Sequence, residues 1–98
     1  MPIEPVSFSP NAIAEIKSIM DNKGIPDEYC LRIGMKGSGC GGMGYVIGFD
    51  KVELQDIKYL CDEVPVIVDK RHVMYLIDLE VDFHESEHSR GFIFNKKS

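Results

Sequence analysis

The sequence predicts a mainly β fold of the α+β class, most simply two packed sheets or a partly closed barrel. Three observations carry this. Helical spacing of apolar residues is strongest in one stretch, between about residues 9 and 23. From Tyr29 onward, apolar residues recur at period two in several short runs. Glycine, proline and acidic residues separate those runs at short intervals. Two helices and about seven strands fit into 98 residues, enough for one core and no second lobe, so 1–98 reads as a single domain.

Taken in order, the first element is the helix. Ser9 is a good N-cap, and Pro10 suits the first helical position because its missing N–H would be unpaired there anyway. Ile13, Ile16 and Met20 recur at three- and four-residue spacing, with Ile19 close to the same stripe. Gly24 and Pro26 end the segment. A strand over 29–36 follows, with Tyr29, Leu31, Ile33 and Met35 on one face. Cys30, Arg32, Gly34 and Lys36 take the other face, so Cys30 is expected to be a small strand filler or half-exposed. After a glycine-rich loop, Gly44 to Asp50 alternates with Tyr45, Ile47 and Phe49 on one side. Ile57–Cys61 and Val64–Val68 read as two more strands, Pro65 placing the second at an edge or at its own start. Asp69 can cap a short helix through Val73, Met74 and Leu76. Leu79, Val81 and Phe83 alternate with Glu80, Asp82 and His84, and Gly91–Phe94 is a last strand.

Composition excludes several functions. A net charge of −5 argues against duplex nucleic acid, whose phosphates need a basic face. No run approaches the roughly 18 apolar residues of a membrane span. The opening Met1-Pro2-Ile3-Glu4-Pro5 lacks the features of a secretory signal, so a cytoplasmic protein is expected. Three cysteines, at 30, 40 and 61, make no disulfide framework in such a compartment.

Two motifs match by letters and fail by physics. Gly37-x-Gly39-x-x-Gly42 fits the dinucleotide fingerprint, but that fingerprint must open a helix and here a strand follows; the phosphate-loop pattern fails at Met43-Gly44, where lysine and serine or threonine are required. His84-Glu85-Ser86-Glu87-His88 spells a zinc-protease motif, which needs a helix to bring both imidazoles to one face. In an extended chain those two histidines lie roughly 13 Å apart, too far for one zinc, and solvated loop residues are expected.

The informative segment is Lys36-Gly37-Ser38-Gly39-Cys40-Gly41-Gly42-Met43-Gly44-Tyr45, in which five of ten residues are glycine. Glycines let a backbone come close to a bound group. Successive N–H groups in such a loop can form an anion-holding concavity, as around many iron–sulfur sites, and this favours the metal-binding thiolate of Cys40. The alternative is a tight turn with an incidental thiol. Cys61 stands beside Asp62 and Glu63, whose charge raises a thiol's pKa and makes it a poor ligand.

Ser38-Gly39-Cys40-Gly41-Gly42-Met43-x-Tyr45 resembles the signature loop of the A-type iron–sulfur carriers, the HesB/IscA-like family. Phe8-Ser9-Pro10-Asn11-Ala12, Leu31-Arg32-Ile33-Gly34, Val66-Ile67-Val68-Asp69, Leu79-Glu80-Val81-Asp82-Phe83 and Gly91-Phe92-x-Phe94 resemble its other landmarks in order. The resemblance implies two small mixed sheets in a sandwich or pseudo-barrel with helices packed outside. It implies a carrier of an iron–sulfur cluster, of a labile [2Fe–2S] kind, and not an enzyme. Cys40 is then the metal ligand, and Gly39, Cys40, Gly41 and Gly42 form the cradle. Partners would be iron–sulfur assembly or acceptor proteins, with a homodimer or higher oligomer, and neither nucleic acid nor membrane.

The sequence departs from the family in one respect. Members carry a C-terminal Cys-Gly-Cys after the Gly-Phe-x-Phe strand, whereas here Asn95-Lys96-Lys97-Ser98 follows. Further ligands would come from a second chain, a small thiol, a partner's cysteines, His84, His88 or Cys30. Two other functions stay open: a metal-free interaction or dimerisation module, and a thiol-reactive enzyme using Cys40 with a histidine brought near by folding.

Overall fold

The computed structural model describes residues 4–38 and 42–96. Its chain order is β1 (Val6–Phe8), α1 (Pro10–Lys23), β2 (Tyr29–Ser38), β3 (Gly42–Lys51), β4 (Asp56–Cys61), β5 (Val64–Asp69), a 3-10 turn (Lys70–His72), α2 (Val73–Leu76), β6 (Leu79–Glu85) and β7 (Arg90–Lys96). The strands form two mixed sheets. The smaller has the order β1-β6-β7, with β1 parallel and β7 antiparallel to β6. The larger has the order β3-β2-β5-β4, with β2 parallel to β5 and the other pairs antiparallel. Among the described residues the two sheets do not close into a barrel.

Local chemistry accounts for the elements. Ser9 Oγ accepts from the Ala12 N–H at 3.1 Å and caps α1, and Gly24 at φ 60° ends it in the left-handed region that glycine enters freely. Ser9 also donates to Asp82 Oδ1 at 2.6 Å, tying the helix start to β6. Asp69 accepts from the Arg71 N–H at 2.8 Å and opens the 3-10 turn that leads into α2. Pro65 is the second residue of β5. It sits near the start of an inner strand, opposite Leu60 of β4 and one residue before the β2 pairing begins at Val66.

Both sheets and α1 share one core. Ala12, Ile13 and Ile16 meet Leu31, Ile33, Tyr59, Val66 and Val68 of the larger sheet and Val6, Leu79 and Val81 of the smaller. The alternation of Tyr45, Ile47 and Phe49 holds, and all three pack against this core from β3.

β1 has no alternation long enough to be read from sequence, and the structure supplies the reason it forms. Tyr59 reaches across from β4. Its hydroxyl donates to the Val6 carbonyl at 2.9 Å and accepts from the Val6 N–H at 3.1 Å. Burial pushes the Tyr59 pKa up, so the phenol stays protonated and can do both. Tyr59→Phe keeps the ring and strands both Val6 groups. The expected loss is about 2 kcal/mol, the scale for buried polar groups left unpaired. Urea unfolding of the two proteins measures it, and a loss within error would mean that water replaces the phenol.

Candidate metal centre

The described part of the segment singled out by sequence lies on the longest hairpin among the described residues. β2 and β3 pair antiparallel from Tyr29↔Lys51 outward through Leu31↔Phe49, Ile33↔Ile47 and Met35↔Tyr45. Pairing continues past the expected strand ends, through Lys36↔Gly44 and Gly37↔Met43 to Ser38↔Gly42. Both strands are thus longer than the apolar alternation alone indicates, because backbone pairing continues through glycine positions that carry no side chain to read. Gly42, expected in the cradle, is the first residue of β3. Gly39, Cys40 and Gly41 fall outside the described residues. In the sequence they are the three residues between Ser38 and Gly42.

The remaining candidate ligands are spread apart. Cys30 shares its face with Arg32, as expected, and at 2% exposed it is the small strand filler and not the half-exposed thiol. β2 is an inner strand. Cys30 stands opposite Asp50, whose carboxylate is drawn into an ion pair with Arg32 at 3.0 Å on that same face. Cys61 ends β4, and its thiol is pushed up to about 11, by burial first and then by Glu4 and Asp62. The direction matches expectation, but desolvation outweighs the neighbouring charge. His84 lies near the end of β6 and His88 in the turn before β7, with no helix between them. His84 Nε2 faces Asp82 Oδ2 at 3.2 Å. Among the described residues no group of three or more His, Cys, Asp or Glu side chains could hold a metal ion.

Comparison with known proteins decides the family. The model of the family described as iron-sulphur cluster biosynthesis matches residues 5–98. The chain belongs to this family. It is 36% identical over 90 residues to the iron-sulfur cluster insertion protein ErpA of Hahella chejuensis, covering 91% of this chain and 76% of that protein. Escherichia coli SufA, described as involved in biosynthesis of iron-sulfur clusters, superposes with a TM-score of 0.79 at 23% identity, over 98% of this chain and 87% of the other. IscA solved with a [2Fe–2S] cluster superposes with a TM-score of 0.73 at 22% identity, over 93% and 81% of the two chains. At those identities the structural likeness establishes the fold.

Two braces of this family member cannot be read from sequence. At the base of the hairpin, Arg32 donates twice to Asp56, from Nη1 at 2.8 Å and Nη2 at 2.6 Å. It donates once to Asp50, from Nε at 3.0 Å, so one guanidinium joins β2, β3 and β4. Asp56 also accepts from the Glu53 N–H at 2.7 Å. Higher on the hairpin, the Tyr45 ring stacks on Phe94 of β7, with centroids 5.3 Å apart and planes at 27°. Period-two alternation placed Tyr45 and Phe94 on strands but could not pair them, because they belong to different sheets. No helix among the described residues is long and apolar enough to cross a membrane.

Proposed function

We propose that this protein carries an iron–sulfur cluster as cargo on Cys40 and passes it to acceptor proteins, acting as a carrier and not as a catalyst. Gly39, Gly41 and Gly42 flank the thiol and let backbone N–H groups approach the cluster. The observation that carries the reading is the fate of the other two cysteines. Cys30 is sealed in the sheet, out of reach of a metal, and burial pushes the Cys61 thiol up to about 11, so neither is a ready ligand. Membership of the family and the names of its relatives, one an insertion protein and one holding a [2Fe–2S] cluster, support the same direction.

A [2Fe–2S] cluster takes four ligands. With Cys30 and Cys61 set aside, Cys40 is the remaining cysteine of the sequence, which points to a shared site, with Cys40 from each of two copies and the rest from a small thiol such as glutathione. Such a shell exchanges thiolates readily, which suits delivery. The test is anaerobic reconstitution with iron, sulfide and glutathione, followed by native mass spectrometry. The expected species is one cluster on two chains, with colour moving to an apo-ferredoxin on mixing. A cluster held by a single chain without added thiol would contradict the shared site. A protein that takes up no iron would favour the metal-free interaction module.

A further inference from the structure

We propose that Phe94 is a positioning residue for the Cys40 loop, acting through its stack on Tyr45. Its consequence for cargo rests on the carrier reading above; its effect on the hairpin stands on geometry alone. Along the β2–β3 hairpin, Ile33 is fully buried and the next core-facing pair, Met35 and Tyr45, is partly buried against the core. Beyond that pair Lys36 is exposed, and Gly37 and Gly44 have no side chain to anchor. Tyr45 is therefore the last residue of β3, among those whose side chains are described, that packs on the body of the protein before the loop.

The packing partner comes from the other sheet. Phe94 stands on β7 opposite Val81, a fully buried residue of β6, so the stack joins the hairpin to a fixed element. From Tyr45 to Gly42 the strand runs on for three residues, about 10 Å at the usual rise. A two-stranded ribbon of that length has little stability of its own. Its direction is set where it leaves the core, and offset aromatic rings fix an angle that an aliphatic contact of similar volume does not. A ligand on this arm must meet iron at a fixed distance from ligands on another molecule. Loosening the stack widens the spread of arm positions and shortens the life of the shared site.

The smaller sheet offers a built-in control. Phe83 and Phe92 make a second aromatic pair, edge-to-face with centroids 5.0 Å apart and planes at 64°, joining β6 to β7 within one sheet. The experiment compares Phe94→Leu, Phe94→Tyr and Phe83→Leu with the wild-type chain, with Phe94→Met as substitute if the leucine variant does not fold. In metal-free protein, amide hydrogen exchange is read at Lys36–Ser38 and Gly42–Gly44 against Leu31–Ile33. Phe94→Leu is expected to speed the outer amides about tenfold, the scale of one lost aromatic pair, and to leave the inner ones unchanged. Phe94→Tyr restores the wild-type pattern, and Phe83→Leu does not produce the selective change. In loaded protein, the half-time of cluster loss to a chelator falls severalfold in Phe94→Leu alone. Uniform acceleration along the hairpin, or the same outer effect in Phe83→Leu, would overturn the proposal. If the exchange pattern is as expected and no variant, wild type included, holds iron, the carrier reading fails and the positioning role stands. If wild type holds a cluster and Phe94→Leu leaves the outer amides unchanged, the positioning role fails alone.

Discussion

Arg32→Met is expected to destabilise the protein by about 3 kcal/mol, the scale for breaking a buried ion pair from one side. The Asp56 side chain is 2% exposed and the Arg32 side chain 22%, so water cannot replace the lost guanidinium at Asp56. The carboxylate would keep its bond from the Glu53 N–H and lose both bonds from Arg32. Methionine matches the volume of the arginine stem, so the change removes charge and hydrogen bonds with little loss of packing. The pH dependence distinguishes this cause from a packing defect. In the wild type the Arg32 guanidinium holds Asp56 below the usual carboxylate range. That contribution is complete above the unfolded value of about 4 and is lost as pH falls through the lower folded value. In the variant the uncompensated buried carboxylate has a raised pKa, so protonation relieves the folded state. The gap between the two proteins in urea unfolding should therefore be widest at pH 7 and narrow toward pH 4. The double variant Arg32→Met with Asp56→Leu should recover most of the loss, because no charge is then left buried. A gap independent of pH would show that Arg32 acts through packing.

What the sequence made legible follows from which forces are local. Ser9, Pro10 and Gly24 act within a turn of where they stand, and α1 begins and ends at them. Asp69 caps its own turn in the same way. Alternation reports which face of a strand is buried, and Leu31, Ile33, Val66, Val68, Leu79 and Val81 all lie in the core. The features that were missed depend on partners distant in the chain. β1 is held by Tyr59 and by β6. The true ends of β2 and β3 depend on backbone pairing through glycine. For Cys30 the sequence leaves a strand filler and a half-exposed thiol open, because Arg32 and Lys36 share its face; the filler is what the fold contains, since Arg32 is folded onto Asp50 and Asp56 on an inner strand. At the site, the glycines of the sequence point to Cys40, which lies outside the described residues, and they say nothing of how the hairpin is braced. Tyr45 and Phe94 meet only when two sheets are packed together.

Cys40→Ser should abolish cluster binding. Serine keeps the size and polarity of the side chain, but an alkoxide is not available at neutral pH, so a thiolate ligand is replaced by a weak neutral one. Among the described residues, the hairpin that flanks residue 40 is held by its own ladder, by Ile33 and by Tyr45. The fold should survive, and the effect should be confined to metal. Cys61→Ser removes a thiol already raised to about 11 and should leave loading intact. Cys30→Ser places a hydroxyl at a position 2% exposed and should cost stability before it costs iron.

The direct measurement is iron and acid-labile sulfide per chain after anaerobic reconstitution, in wild type, Cys40→Ser and Cys61→Ser side by side. Matching iron and sulfide in wild type and Cys61→Ser, with neither in Cys40→Ser, is the predicted result. Equal loading of Cys40→Ser and wild type would contradict it.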